Sequence, residues 1–155
     1  MSFPNLGEFS DAQAITEAAA STNYLDLATT RQQIGVGVPI YLCIKTNTAP
    51  TEVADTLSIE LQNDSTNAFS SPKVWMVLCG SAGAELTVTD ARLDAAGDWI
   101  YRGTLPYECS ERYLRLYYNN TTSTGTITVD AFLSLLPPSD IGADAQVWSS
   151  PVGNP

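Results

Sequence analysis

The chain contains no histidine. That removes the commonest general base and the commonest metal ligand together, which excludes Ser-His-Asp and Cys-His arrangements and most zinc sites. The three cysteines, Cys43, Cys79 and Cys109, are too far apart for a CxxC pair. Gly35-Val36-Gly37 lacks the third glycine and the following helical pattern that a phosphate-binding loop requires. Paired carboxylates are the remaining route to catalysis, Asp90 with Asp94 or Glu108 with Glu111, as in β-sandwich glycosidases. Both pairs fall in polar, loop-like stretches where solvated acids are the ordinary expectation. Asn63, Asp64, Ser65 and Asn67 offer oxygen ligands at the spacing of a calcium loop, but the same residues are strong turn formers, and a turn is expected. The expectation is a protein that is not an enzyme, with no catalytic residue, no metal and no cofactor.

Aromatic residues offer a second kind of chemistry. Trp75, Trp99, Tyr101, Tyr113, Tyr117 and Tyr118 would suit a sugar-stacking platform, and their positions on alternating segments fit packing within a sheet equally well. A carbohydrate-binding or adhesion module is therefore the alternative to a protein-binding role.

The elements that must position these residues have a period of two from about residue 38 onward. Leu57, Ile59 and Leu61 alternate with Ser58, Glu60 and Gln62. Leu114, Leu116 and Tyr118 alternate with Tyr113, Arg115 and Tyr117. Ile127, Val129, Ala131, Leu133 and Leu135 alternate with Thr128, Asp130, Phe132 and Ser134. Such segments bury one face and wet the other. Ile40 to Thr46, Val74 to Leu78, Ala84 to Thr89 and Trp99 to Leu105 are further strand candidates. Turn signals separate them at residues 63–67, 80–83, 96–98 and 119–125. The pattern predicts an all-β, antiparallel, jelly-roll-like β-sandwich of about eight strands. Residues 10–20 permit two readings. Ser10, Gln13 and the Ala18-Ala19-Ala20 run favour a short helix, and alternation permits an edge strand.

At 155 residues the chain is long enough for one continuous core, and its 44% of hydrophobic residues argues against disorder. Seventeen acidic residues against seven basic ones give a net charge of −10, and the basic residues are mostly scattered singly. Phosphate backbones require clustered cations, so nucleic acid is not an expected partner. No stretch approaches a membrane span, and the N-terminal residues lack the pattern of a signal peptide. Three cysteines do not pair evenly, and Cys43 and Cys79 lie within apolar runs, which predicts free thiols in a reducing compartment.

The expected organisation is an N-terminal arm over 1–10, a β-sandwich domain over 11–136 and an extended Pro/Gly-rich C-terminal arm over 137–155. Phe3 and Phe9 on the first arm, with Val147 and Trp148 on the second, are the candidate protein-binding residues. An apolar side chain on an extended arm anchors in a neighbour's pocket or folds back onto its own domain, and both readings stand.

The order of local motifs adds a resemblance. Glu8-Phe9-Ser10-Asp11-Ala12-Gln13-Ala14 is followed by Ala20-Ser21-Thr22-Asn23-Tyr24-Leu25-Asp26-Leu27 and by Ile34-Gly35-Val36-Gly37-Val38-Pro39-Ile40-Tyr41-Leu42. Then come Leu57-Ser58-Ile59-Glu60-Leu61-Gln62, Ala68-Phe69-Ser70-Ser71-Pro72 and Glu111-Arg112-Tyr113-Leu114-Arg115-Leu116-Tyr117-Tyr118. The series resembles the Bbp16-type capsid cement (decoration) proteins of tailed bacteriophages. The resemblance implies a structural virion protein, made in the bacterial host cytoplasm and placed on the outer surface of the capsid. There it would bind the major capsid protein and stabilise neighbouring capsomers as a small homo-oligomer, dimer or trimer. The C-terminal arm lies outside the resemblance.

Overall fold

The computed structural model describes residues 7–27, 37, 39–50, 56–80, 85–87, 90–105, 109–120 and 126–135. Among these residues every regular element is a strand: β1 (Glu8–Ile15), β2 (Ala19–Ala20), β3 (Leu25–Asp26), β4 (Tyr41–Thr48), β5 (Thr56–Asp64), β6 (Lys73–Cys79), β7 (Leu86–Thr87), β8 (Trp99–Thr104), β9 (Tyr113–Asn119) and β10 (Ile127–Ser134). One sheet runs β1-β10-β4-β8 and the other β2-β9-β5-β6, with β3 also on β9 and β7 on β5. All pairings are antiparallel.

The connectivity is nested. β1 pairs with β10, β2 and β3 with β9, β4 with β8, and β5 with β6. Successive pairs fall alternately in the first and second sheet, which is the double Greek key of a jelly roll. The strand count agrees once β2 and β3 are taken as one interrupted strand on β9, bridged by Ser21 N donating to Leu116 O at 2.9 Å. β7 adds only two residues beside β5.

The alternation in sequence becomes the inner and outer faces of the sheets. Leu114, Leu116 and Tyr118 of β9 are fully buried against Ile127, Val129 and Ala131 of β10, with Leu42, Ile44, Leu57, Ile59 and Leu61 completing the core. Fully burying each such side chain is worth about 1.5–3 kcal/mol, so the facing layers supply the main driving force. At one end of the sandwich Gly7, at φ +132°, accepts a hydrogen bond from Leu133 N at 2.8 Å. That positive φ favours glycine, and a Cβ there would also press on the end of the Leu133 side chain at 2.9 Å.

Residues 10–20 resolve in favour of the strand. Phe9 and Ile15 are buried on β1, and that tertiary gain outweighs the local helix preference of the alanines. A bulge places Asp11 and Ala12 opposite Asp130. Ala12 sits at φ +45°, and its N–H donates to Asp130 Oδ1 at 2.7 Å. The other Asp130 oxygen accepts from Asn47 Nδ2 at 2.9 Å and lies 3.7 Å from Lys45 Nζ. Ser10 points inward, its hydroxyl 2.7 Å from both Gln13 Oε1 and the Tyr118 hydroxyl. Gln13 then bonds Ala20 O at 2.8 Å and Thr22 N at 2.9 Å. This polar chain, buried at its Ser10–Tyr118 end, ties the first sheet to the second where the chain crosses between them.

Candidate interaction surface

Three of the four acids singled out for catalysis have partners outside their expected pairs. Arg92 holds Asp90 in a two-pronged ion pair at 2.8 and 2.9 Å, which pulls the Asp90 pKa down to about 2. Asp94 shares a hydrogen bond with Asp98 that raises its pKa, and Asp98 also caps Ala95 N at 3.0 Å. Glu111 pairs with Lys73, while Glu108 lies outside the described residues. All three cysteines are free and buried, and desolvation pushes the Cys43 thiol up to about 11 and Cys79 up to about 12. Such thiols carry little thiolate at neutral pH and are poor nucleophiles. No group of three or more metal-ligating side chains occurs among the described residues. Nor is any helix among them long and apolar enough to cross a membrane.

The Asn63–Asn67 segment ends β5 and enters a turn held by the strand's last residue, Asp64. Asp64 accepts backbone N–H bonds from Thr66 at 3.0 Å and Ser71 at 2.9 Å, and hydroxyl bonds from Ser65 at 3.3 Å and Thr66 at 3.4 Å. The Ser71 bond is the largest cause holding its pKa below the usual carboxylate value. The turn carries Phe69, at φ +47°, onto the outer face of the second sheet.

That face gathers the chemistry that the core does not use. Tyr113, Arg115 and Tyr117 alternate outward along β9. Across the strands Arg115 stands opposite Gln62 and Gln62 opposite Val74, while Tyr117 stands opposite Glu60 and Glu60 opposite Val77. The Arg115 guanidinium lies 4.4 Å from the Phe69 ring centroid and 5.5 Å from that of Tyr117, within cation–π range. Its Nε donates to Gln62 Oε1 at 3.0 Å, and Gln62 Nε2 in turn donates to Glu60 at 2.9 Å. Burial lowers the Arg115 pKa somewhat, although a guanidinium remains charged. Tyr24 meets Phe69 and Tyr113 edge-on, at centroid distances of 6.1 and 5.8 Å. Arg112 lies 4.9 Å above Tyr113 while making a two-pronged ion pair with Asp26.

Of the expected aromatic platform, Tyr118 is fully buried, and Trp75 and Tyr101 pack against the core. Trp99 is half-buried on β8 of the other sheet. Only Tyr113 and Tyr117 share the outer face. Of the four candidate anchors, Phe9 requires correction. It is 1% exposed within β1, so it belongs to its own core and is not an arm residue available to a neighbour. Residues 8–10, expected in the N-terminal arm, instead belong to β1 and pair with β10. Phe3, Val147 and Trp148 lie outside the described residues. Sequence reasoning missed Tyr24, Phe69, Val74, Val77 and Arg115 as one surface. The available signal was the outward alternation Tyr113, Arg115, Tyr117.

Fold and face together define a jelly-roll β-sandwich whose outer aromatic–arginine surface is suited to contact. The chain belongs to the Bbp16 family, whose model matches residues 9–136, from the first strand of the jelly roll past the last. No curated protein matches the chain. Family and fold are those of a candidate phage structural protein.

Proposed function

We propose that this protein is a capsid cement protein of a tailed bacteriophage. It binds the outside of the head and stabilises contacts between neighbouring capsomers of the major capsid protein, acting as a small homo-oligomer. The observation that carries the reading is family membership across the whole jelly roll. Two features support contact over catalysis. Of the acids singled out in the sequence, Asp64 is held in its turn, Asp90 by Arg92 and Glu111 by Lys73, and the thiols are buried. A cement protein requires modest interfaces repeated over a shell, because multivalent attachment multiplies weak contacts. The rings of Tyr24, Phe69 and Tyr113 lean edge-on at 65° and 76° and do not form a flat shelf, so sugar stacking is the less favoured use of this surface.

The test is copy number. In purified virions, quantitative mass spectrometry should find this chain in numbers comparable to the shell protein. A handful of copies per particle would contradict a cement role, and glycan-array binding would then move the protein to adhesion.

A further inference from the structure

Arg115 differs from the other paired cations of the domain. Lys45 lies beside Asp130, Lys73 beside Glu111, Arg92 beside Asp90 and Arg112 beside Asp26. Among the described residues, Arg115 meets no carboxylate within salt-bridge distance. Gln62 stands between it and Glu60, giving the guanidinium a neutral acceptor. Two rings fix the orientation of the side chain, and only Nε is engaged by Gln62, so the terminal amino groups retain unused donors. Asp64 acts on the guanidinium only at longer range, and a half-buried arginine held in place without an ion-pair contact has already lost much of the conformational freedom that binding would otherwise remove.

A second observation falls on the same face. The three exposed large hydrophobic side chains among the described residues are Tyr24 at 48%, Val74 at 52% and Val77 at 49%. Tyr24 borders Arg115 through Phe69, and Val74 through Gln62. An aromatic–arginine centre with neighbouring apolar side chains is the composition of a binding hot spot. Among the described residues β6 ends the second sheet, and two register shifts against β5 interrupt its ladder, which makes that edge a less suitable template. The contact surface is therefore the face and not the edge.

We propose that the outer face of the β2-β9-β5-β6 sheet, centred on Arg115, docks a protein partner that presents a carboxylate flanked by apolar side chains. Charge complementarity determines this choice. A positively charged fork with spare donors recognises Asp or Glu in two-pronged geometry. Phe69 and Tyr117 shield that pair from water, and Val74 and Val77 meet apolar groups beside it. If the cement reading holds, on which this step rests, the partner is the capsid shell.

The experiment uses the full chain and virion shells stripped of it. Binding isotherms are measured for wild type, Arg115→Gln, Arg115→Lys, Val77→Asp and Arg102→Gln. Arg102→Gln removes the same charge from an exposed site on β8 of the other sheet. Arg115→Gln and Val77→Asp are expected to weaken attachment on the order of 30-fold or more. Arg115→Lys should rescue only part of this, because an ammonium lacks the planar fork, and Arg102→Gln should bind as wild type. Thermal unfolding of each variant identifies losses that come from misfolding. Wild type that attaches while Arg115→Gln and Val77→Asp attach equally well overturns the docking face alone, as does an equal loss in Arg102→Gln. Wild type that does not attach overturns the cement reading and this partner with it.

Discussion

Replacing Asp64 with asparagine tests how the turn that carries Phe69 is held. The Asp64 side chain lies in a residue only 4% exposed, and its two oxygens collect the N–H groups of Thr66 and Ser71. Asparagine keeps the shape but only one acceptor oxygen, so its amide NH2 faces one of those N–H groups. A part-buried backbone donor thereby loses a charge-assisted bond, at a cost of about 2 kcal/mol. For a domain of this size that corresponds to a melting temperature lower by about 4–8 °C. The pH dependence gives a second check. Hydrogen bonds hold the folded-state pKa of Asp64 below normal, so its stabilisation is fully present above the unfolded value and is lost as pH falls through the folded one. The gap between wild type and Asp64→Asn should therefore be complete at neutral pH and close below about pH 4. Circular dichroism melts of both proteins across that range measure it. The reasoning is refuted if the two melt together at neutral pH, or if the gap persists unchanged in acid.

Three further outcomes follow from the same packing. Asp130→Ala removes the acceptor for the exposed Ala12 N–H at the β1 bulge and should lower stability by about 1 kcal/mol, read as a lower urea midpoint with unchanged slope. Tyr118→Phe retains the ring in the core but removes the hydroxyl that meets Ser10, and should cost about 1 kcal/mol by the same titration. The three buried thiols should resist a thiol-reactive dye in the native protein and all react in denaturant; rapid native labelling would contradict their burial.

Much of the fold was legible because burial on one sheet face is a local signal with period two. Residues 57–62, 113–118 and 127–135 announced β5, β9 and β10, with ends displaced by no more than a few residues. β1 was ambiguous because Ser10, Gln13 and the alanines carry helical preferences, while the deciding contacts of Phe9, Ile15 and Ser10 come from strands distant in sequence. The interaction face was less legible. Nothing near Arg115 in the chain indicates that Phe69 stacks on it, since the Asp64-held turn brings that ring across two strands. Val74 and Val77 belong to an apolar run that reads as core. Only its place at the edge of the second sheet, together with the β5–β6 register shifts, leaves those two side chains in solvent while Leu78 and Cys79 are buried.

Cement function is tested most directly by the resistance of the shell itself. Virions stripped of this protein, with and without the purified full chain added back, should be heated while DNA release is followed with an intercalating dye. Restored particles are expected to release DNA at a higher temperature than stripped ones, with the effect saturating as the shell fills. Release at the same temperature, with the protein demonstrably bound, would contradict a stabilising role.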